Sequence, residues 1–218
     1  MTTSQPDFET YFHERASRFA AFYRSEPVAR LLGRGPLFDR LRGTVALVAD
    51  LGARRVLDVG CGSGPLFAPL ARRGVHVVGI DPARAMVAMA SREASRYPGM
   101  VRVEERGWET IEDEDAYDVA VALGVFDYVG DAAALLARMA RAAPHVIGSF
   151  PSPGVRTQLR RVRYGRRGVG VYGRSRADLV GLAAAGALDV ADLIALGRAG
   201  HLAHFSRAHS PETGPPSS

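Results

Sequence analysis

The sequence predicts an α/β fold: a doubly wound, mostly parallel seven-stranded sheet with an antiparallel edge strand and an N-terminal helical cap. Three observations lead to this prediction. Short apolar runs alternate with amphipathic segments from residue 53 onward, as they do in consecutive strand–helix–strand units. A glycine-rich loop over residues 60–64 follows the first of these runs. The acidic residue Asp81 stands at the end of the second.

Residues 1–52 are predicted to form the helical cap. Aromatic residues recur at helical spacing, which predicts an amphipathic helix over residues 7–23. Glycine and proline residues then interrupt the chain, and a second helix is predicted over residues 37–50.

Residues 53–208 are predicted to form the main domain, in which strands and helices alternate. The apolar runs predict strands over residues 55–59, 75–80, 100–105, 116–123 and 145–150. Helices are expected between them over residues 65–73, 83–95 and 131–142, with a further helix over residues 176–185.

The end of the chain follows a different pattern. Residues 188–196 and 201–207 are predicted to pair as a hairpin at the edge of the sheet. Residues 209–218 are rich in proline and serine and are expected to be a disordered tail.

Composition argues against several classes of function. No apolar run approaches the roughly 20 residues that span a bilayer, and the N-terminus lacks the basic and apolar regions of a secretory signal. The single cysteine cannot form an internal disulfide, so we expect a cytoplasmic protein. The net charge is +5, but all 28 basic residues are arginine. The exclusive use of arginine explains much of the positive charge, so the charge does not by itself require a nucleic-acid partner.

The glycine-rich loop is suited to a nucleotide-like cofactor. Gly60, Gly62 and Gly64 allow positive φ angles and leave no Cβ between the backbone and a ligand. The amides at the start of the next helix then face that ligand. Asp81, followed by Pro82, lies about where a carboxylate meets ribose hydroxyls, roughly 20 residues further on.

The segment Asp58–Gly64 reads D-x-G-x-G-x-G and resembles the motif of class I S-adenosylmethionine (SAM)-dependent methyltransferases. The dinucleotide fingerprint G-x-G-x-x-G fits less well, because Pro65 stands at its third small residue. The resemblance implies a Rossmann-like fold and SAM as cofactor. It places the methionine part of SAM at Asp58, Gly60, Cys61, Gly62 and Gly64, and the ribose at Asp81 and Pro82.

The resemblance extends along most of the chain. Residues 117–128 look like the fourth strand of the family and its following loop, which adds Leu123 and Gly124 to the implied cofactor site. Residues 11–23 and 149–151 are similar to small-molecule methyltransferases related to magnesium-protoporphyrin O-methyltransferase. Many family members carry an acid after the third strand that meets the adenine amino group.

In this sequence Gly107 holds the place of that acid, and the indole of Trp108 is a candidate to lie along the adenine ring. Ordinary half-buried packing is the competing interpretation of Trp108.

Methyl transfer from a sulfonium requires alignment and exclusion of water, and it needs a base only if the acceptor loses a proton. Asp127 is a candidate base after strand 4, and Tyr128 is a candidate to orient the acceptor. Tyr11 lies on the helix that, by resemblance, closes over the cofactor. The competing interpretations are a helix cap for Asp127 and packing for both tyrosines. No pair of histidines has the spacing of a metal site.

Residues 151–176 are an arginine-rich insertion, predicted to form a lid over the substrate. They contain eight arginines and no acidic residue. Because guanidinium groups bind carboxylates and phosphates, Arg156, Tyr164 and Phe12 are predicted to contact an anionic or natural-product-type acceptor. A solvated basic surface is the alternative.

Two other activities stay open at this stage. One is a SAM-using enzyme that does not methylate and instead releases methylthioadenosine. The other is an NAD(P)-dependent oxidoreductase, against which the mismatch at Pro65 already counts.

Overall fold

The computed structural model describes residues 26–31, 35–166 and 168–207. Its centre is a seven-stranded sheet in the order β3-β2-β1-β4-β5-β7-β6. The strands are β1 (Arg55–Val59), β2 (His76–Asp81), β3 (Val101–Glu105), β4 (Val119–Ala122), β5 (His145–Phe150), β6 (Leu188–Ala195) and β7 (His201–Arg207).

Helices cover both faces of this sheet. They are α1 (Glu26–Leu31), α2 (Gly35–Asp50), α3 (Phe67–Ala71), α4 (Arg84–Ala94), α5 (Ala132–Ala142), α6 (Val155–Gly165) and α7 (Arg176–Ala185), with short 3₁₀ turns at Trp108–Thr110 and Gly197–Ala199. The predicted α/β fold is therefore confirmed. The predicted helix over residues 7–23 and the tail lie outside the described residues.

Strands β1 to β5 run parallel, and β7 pairs antiparallel with both β5 and β6. The predicted hairpin thus closes the sheet, with its antiparallel strand β7 lying inside the edge strand β6. The predicted bounds of the cap and the lid stay predictions, because a single sheet does not by itself divide the chain.

The central strands read as continuous apolar runs because helices bury both of their faces. Leu57 and Val59 of β1 pack on one side with a cluster that includes Leu136 of α5. Val56 packs on the other side with a cluster that includes Val48 of α2. This alternation follows from the two-residue period of a strand. Packing on both faces holds β1 in place, so the loop that follows β1 starts from a fixed position.

Helix α6 was not predicted as a helix, because the arginine run dominates the pattern of residues 151–176. None of its residues is buried.

Among the described residues, no helix is both long and apolar enough to cross a bilayer.

Candidate active site

A cavity of about 910 Å³ lies at the carboxyl ends of the five parallel strands. These ends meet along one edge of a doubly wound sheet, which is where ligands bind in such folds. The strand order sets the order of the lining residues along that edge. From β3 to β5 they are Trp108, Asp81, Gly60, Gly124 and Phe150.

The glycine loop after β1 presents its backbone to this cavity. Gly60, Gly62 and Gly64 have φ angles of +65°, +57° and +78°. A Cβ on Gly60 would clash with Val125, and one on Gly64 would clash with Phe67. Gly64 does not line the cavity and instead lets the loop turn into α3, whereas Gly60 and Gly62 line it. Nothing lies within 4 Å of the place that a Cβ on Gly62 would take, so a bulky group can approach the loop backbone closely there.

Asp81 fastens the end of β2 to this loop. Its Oδ2 accepts a hydrogen bond from the Gly62 amide at 3.0 Å, and its Oδ1 accepts one from the Ala83 amide at 2.9 Å. The side chain is buried but lines the cavity together with Pro82. Each carboxylate oxygen has two lone pairs, so Asp81 can hold the loop and still accept from a ligand hydroxyl.

Asp58 is a second carboxyl group at this end of the cavity, and it is only 3% exposed. Burial, with a smaller contribution from the negative charge of Asp81, raises the pKa of Asp58 to about 8. Burial, followed by the neighbouring Asp58 and Asp81, also raises the pKa of the Cys61 thiol. Both groups are therefore protonated at neutral pH. A cation placed beside Asp58 would favour its ionised form.

The loop after β3 contributes Trp108 and an acid that sequence analysis missed. Trp108 is half-buried, packs against the core and lines the cavity. Gly107 does not line it, but the carboxylate of Glu109 folds back against Gly107, where a side chain at 107 would clash with it. Glu109 does line the cavity. An acid is thus present near the expected place, displaced by two residues along the chain.

Arg40 is a further cavity residue that sequence analysis missed. It extends from α2 over Gly124, close enough that a Cβ there would lie 3.0 Å from its Nη1. The same nitrogen donates to the Ser149 hydroxyl at 3.5 Å, and that hydroxyl accepts from the Gly124 amide at 2.8 Å. A guanidinium therefore stands between the ends of β4 and β5. No local pattern distinguishes this arginine from others on helix surfaces.

Beyond β4, three side chains form a hydrogen-bonded group. Arg160 Nη2 donates to Asp127 Oδ2 at 2.7 Å and to the Tyr128 hydroxyl at 3.1 Å. The guanidinium lies 5.7 Å from the centre of the Tyr128 ring and 5.9 Å from that of Tyr164, within the range of cation–π attraction. The three hydrogen-bonded side chains and that of Tyr164 all line the cavity.

The charge states of this group follow from its burial and its pairing. Burial, followed by the charge of Asp127, raises the pKa of Tyr128, so its phenol stays neutral. Burial alone would lower the pKa of Arg160. The neighbouring Asp127 and Tyr128 outweigh that effect, so the net pKa is raised and the guanidinium stays charged.

One interpretation from the sequence needs correction. Asp127 is not the cap of the following helix, because Asp131 caps α5 by accepting from the Ala134 amide at 2.9 Å. Arg156 lines the cavity and is exposed, whereas Arg160 makes the inward ion pair, and the contact of Arg156 with an acceptor stays a prediction. The arginine pattern alone could not rank these two residues.

Other predicted site residues are placed as follows. Leu123 and Tyr164 line the cavity, and Tyr11 and Phe12 lie outside the described residues. Within the described part of the chain, no three His, Cys, Asp or Glu side chains gather into a metal-binding group.

The insertion is tied to the same loop as Asp127. The Arg174 guanidinium donates to the carbonyl oxygens of Phe126 and Val129, at 2.7 and 3.2 Å. The Tyr172 amide donates to the Asp127 carbonyl at 2.8 Å. Residues 151–176 thus wall one side of the cavity.

Comparison with known proteins identifies the domain. Residues 56–144 match the model of a family described as "Methyltransferase domain". These residues form a methyltransferase domain. The resemblance that the sequence motif suggested is therefore confirmed for this domain.

Curated relatives of the methyltransferase domain include ubiquinone biosynthesis O-methyltransferases. The protein of Bradyrhizobium diazoefficiens is 30% identical over 123 residues, which are 56% of this chain and 49% of that protein. The protein of Azorhizobium caulinodans is 41% identical over 87 residues, or 38% of this chain and 34% of that protein. The chain thus spans about half the length of the first of these, and less of the second.

Solved structures share the fold more completely. Magnesium protoporphyrin IX methyltransferase of Synechocystis PCC 6803, solved with bound S-adenosylhomocysteine (SAH), has a TM-score of 0.76 at 22% identity, covering 92% of this chain and 98% of that one. A Burkholderia thailandensis 1,6-didemethyltoxoflavin-N1-methyltransferase has a TM-score of 0.65 at 21% identity, covering 91% and 88%. At such identities the likeness shows the fold alone.

Proposed function

We propose that this protein transfers a methyl group from SAM to a small anionic acceptor bound in the cavity. One observation carries the proposal. A single cavity joins the glycine loop and Asp81 on one side to the Asp127–Tyr128–Arg160 group on the other. The relatives named above act on small molecules, as their names state.

The residues on the β1 and β2 side fit SAM. The open backbone at Gly62 and the carboxylate of Asp81 suit an amino acid chain and a ribose, respectively. Asp58 would face the α-ammonium group and Arg40 the α-carboxylate. Trp108 and Glu109 would meet the adenine ring and its amino group. When bound, SAM supplies an activated methyl group on a sulfonium, so the protein mainly aligns the acceptor and excludes water.

The residues on the β4 and β5 side would handle the acceptor. Tyr128, neutral because its pKa is raised, can donate a hydrogen bond that orients an acceptor oxygen or nitrogen. Asp127 can accept the proton that the acceptor loses. Arg160 holds both groups in place, and an anionic acceptor would share its charge.

Binding and product analysis test this function. We expect calorimetry to detect SAM and SAH but not NAD⁺ or NADP⁺. Turnover should release SAH, because methylthioadenosine would mean attack on another carbon next to sulfur. Paired acceptors that differ by a carboxylate, such as 3,4-dihydroxybenzoate and catechol, test the preference for an anion. Nicotinamide cofactor binding, or release of methylthioadenosine, would contradict the proposal.

Replacing Asp127 by Asn is expected to lower kcat by about 10²–10⁴-fold, the usual contribution of a general base. SAH affinity should stay close to that of the parent protein, since Asp127 lies on the acceptor side. Steady-state kinetics and SAH calorimetry check the two expectations separately.

Asp131→Asn is the matched control. It changes a carboxylate four residues away that caps α5, and asparagine can serve as a cap too. An equal loss of kcat in both variants would show that the loop, rather than a base, had been damaged.

A further inference from the structure

Helix α6 is oriented with its apolar side outward. Val155, Leu159 and Val162, here called the apolar stripe, are 76%, 66% and 61% exposed. Their i, i+4, i+7 spacing puts them on one face of the helix. A helix that packs on a protein normally turns such a face inward.

The opposite face of α6 is polar and lines the cavity. Arg156, Thr157, Arg160 and Tyr164 all contribute to its wall. Arg160 is held there by Asp127 and Tyr128. The helix therefore cannot bury the apolar stripe by turning over without breaking this group.

Exposed arginines accompany the apolar stripe. Arg161, Arg163 and Arg166 are all exposed, and the sequence has no Asp or Glu from residue 132 to residue 177. An exposed apolar face with cations, in a stretch of the chain that contains no acid, complements the boundary between acyl chains and anionic headgroups. Nucleic acid would pair with the arginines but would leave valine and leucine against phosphates.

We propose that α6 docks on the surface of an anionic lipid bilayer, with the apolar stripe entering the headgroup boundary and its arginines contacting lipid phosphates. Because the other face of α6 walls the cavity, docking would bring the cavity close to the membrane. An acceptor dissolved in the bilayer could then enter directly. That last step rests on the proposed function, whereas the docking does not.

Vesicle flotation with the full-length protein tests the docking. Vesicles of phosphatidylcholine alone are compared with vesicles that also contain an equal amount of phosphatidylglycerol. We expect the parent protein to float with the anionic vesicles only. Binding should weaken markedly between about 0.1 M and 0.5 M salt, because surface charges are screened. Leu159→Glu should reduce the bound fraction about tenfold or more.

Val180→Glu is the matched control, since Val180 is an exposed apolar residue, at 53%, on α7. It should float as the parent does, and SAH calorimetry should give equal affinities for the parent, Leu159→Glu and Val180→Glu. Equal binding to neutral vesicles, or full binding by Leu159→Glu, would overturn the proposal. So would a parent that does not float but forms a dimer that Leu159→Glu abolishes in sedimentation velocity. A parent that floats but does not bind SAH would refute the function and leave the docking standing.

Discussion

Replacing Asp81 by Ala is expected to weaken SAH binding by about 10- to 100-fold, the cost of losing a charged hydrogen-bond partner. Two effects add in this variant. The ribose loses its proposed acceptor, and the Gly62 and Ala83 amides lose the carboxylate that now accepts from them. Calorimetry with SAH measures the combined loss.

Asp118 offers a control that separates these effects. Its Oδ2 also accepts hydrogen bonds from two backbone amides, those of Arg54 and Arg55, at 2.7 and 2.8 Å. However, Asp118 precedes β4 and so lies at the amino-terminal ends of the parallel strands, away from the cavity. Asp118→Ala should therefore lower stability without changing SAH affinity. If Asp81→Ala bound SAH as tightly as the parent protein, the ribose assignment would be wrong.

The side of the cavity that we propose binds the cofactor was largely predictable because its signals are local. A strand followed at once by glycines with positive φ involves only consecutive residues, and Asp81 lies only 19 residues from its hydrogen-bond partner Gly62. The order of parallel strands then brings these segments to one edge by a general rule of the fold. The alternation of apolar runs predicted the sheet for the same reason.

The side that we propose binds the acceptor was less predictable because its interacting residues are distant in sequence. Arg160 meets Asp127 across 33 residues, and Arg40 meets Ser149 across 109. An arginine on a helix has the same local pattern whether it faces solvent or a cavity, so nothing in that pattern singled out Arg160 rather than Arg156. Glu109 was missed for another reason, since its side chain folds back over two residues to reach Gly107.

Replacing Asp58 by Asn is expected to stabilise the ligand-free protein at pH 8 while weakening SAH binding. The pKa of Asp58 is raised from 3.8 to about 8 in the folded protein. The folded state therefore binds the proton more tightly than the unfolded state does. The stability that this proton contributes is fully present below pH 4 and is lost as the pH rises toward 8, at up to roughly 1.4 kcal/mol per pH unit. Asparagine has no proton to lose, so the variant escapes this loss.

The quantity to measure is the difference in unfolding free energy between Asp58→Asn and the parent protein, from urea denaturation at several pH values. That difference should grow in favour of the variant from pH 4 to pH 8, by a few kcal/mol in total. A difference that does not change with pH would mean that Asp58 is ionised in the folded state.

The same carboxyl group should couple cofactor binding to proton release. If the ammonium group of SAH lies beside Asp58, its charge lowers the pKa of that residue, and binding at pH 7 expels the proton. The calorimetric heat in the parent should then depend on the ionisation enthalpy of the buffer, for example between phosphate and Tris, and Asp58→Asn should lose that dependence. Buffer-independent heat in the parent would therefore remove Asp58 from the proposed SAM site.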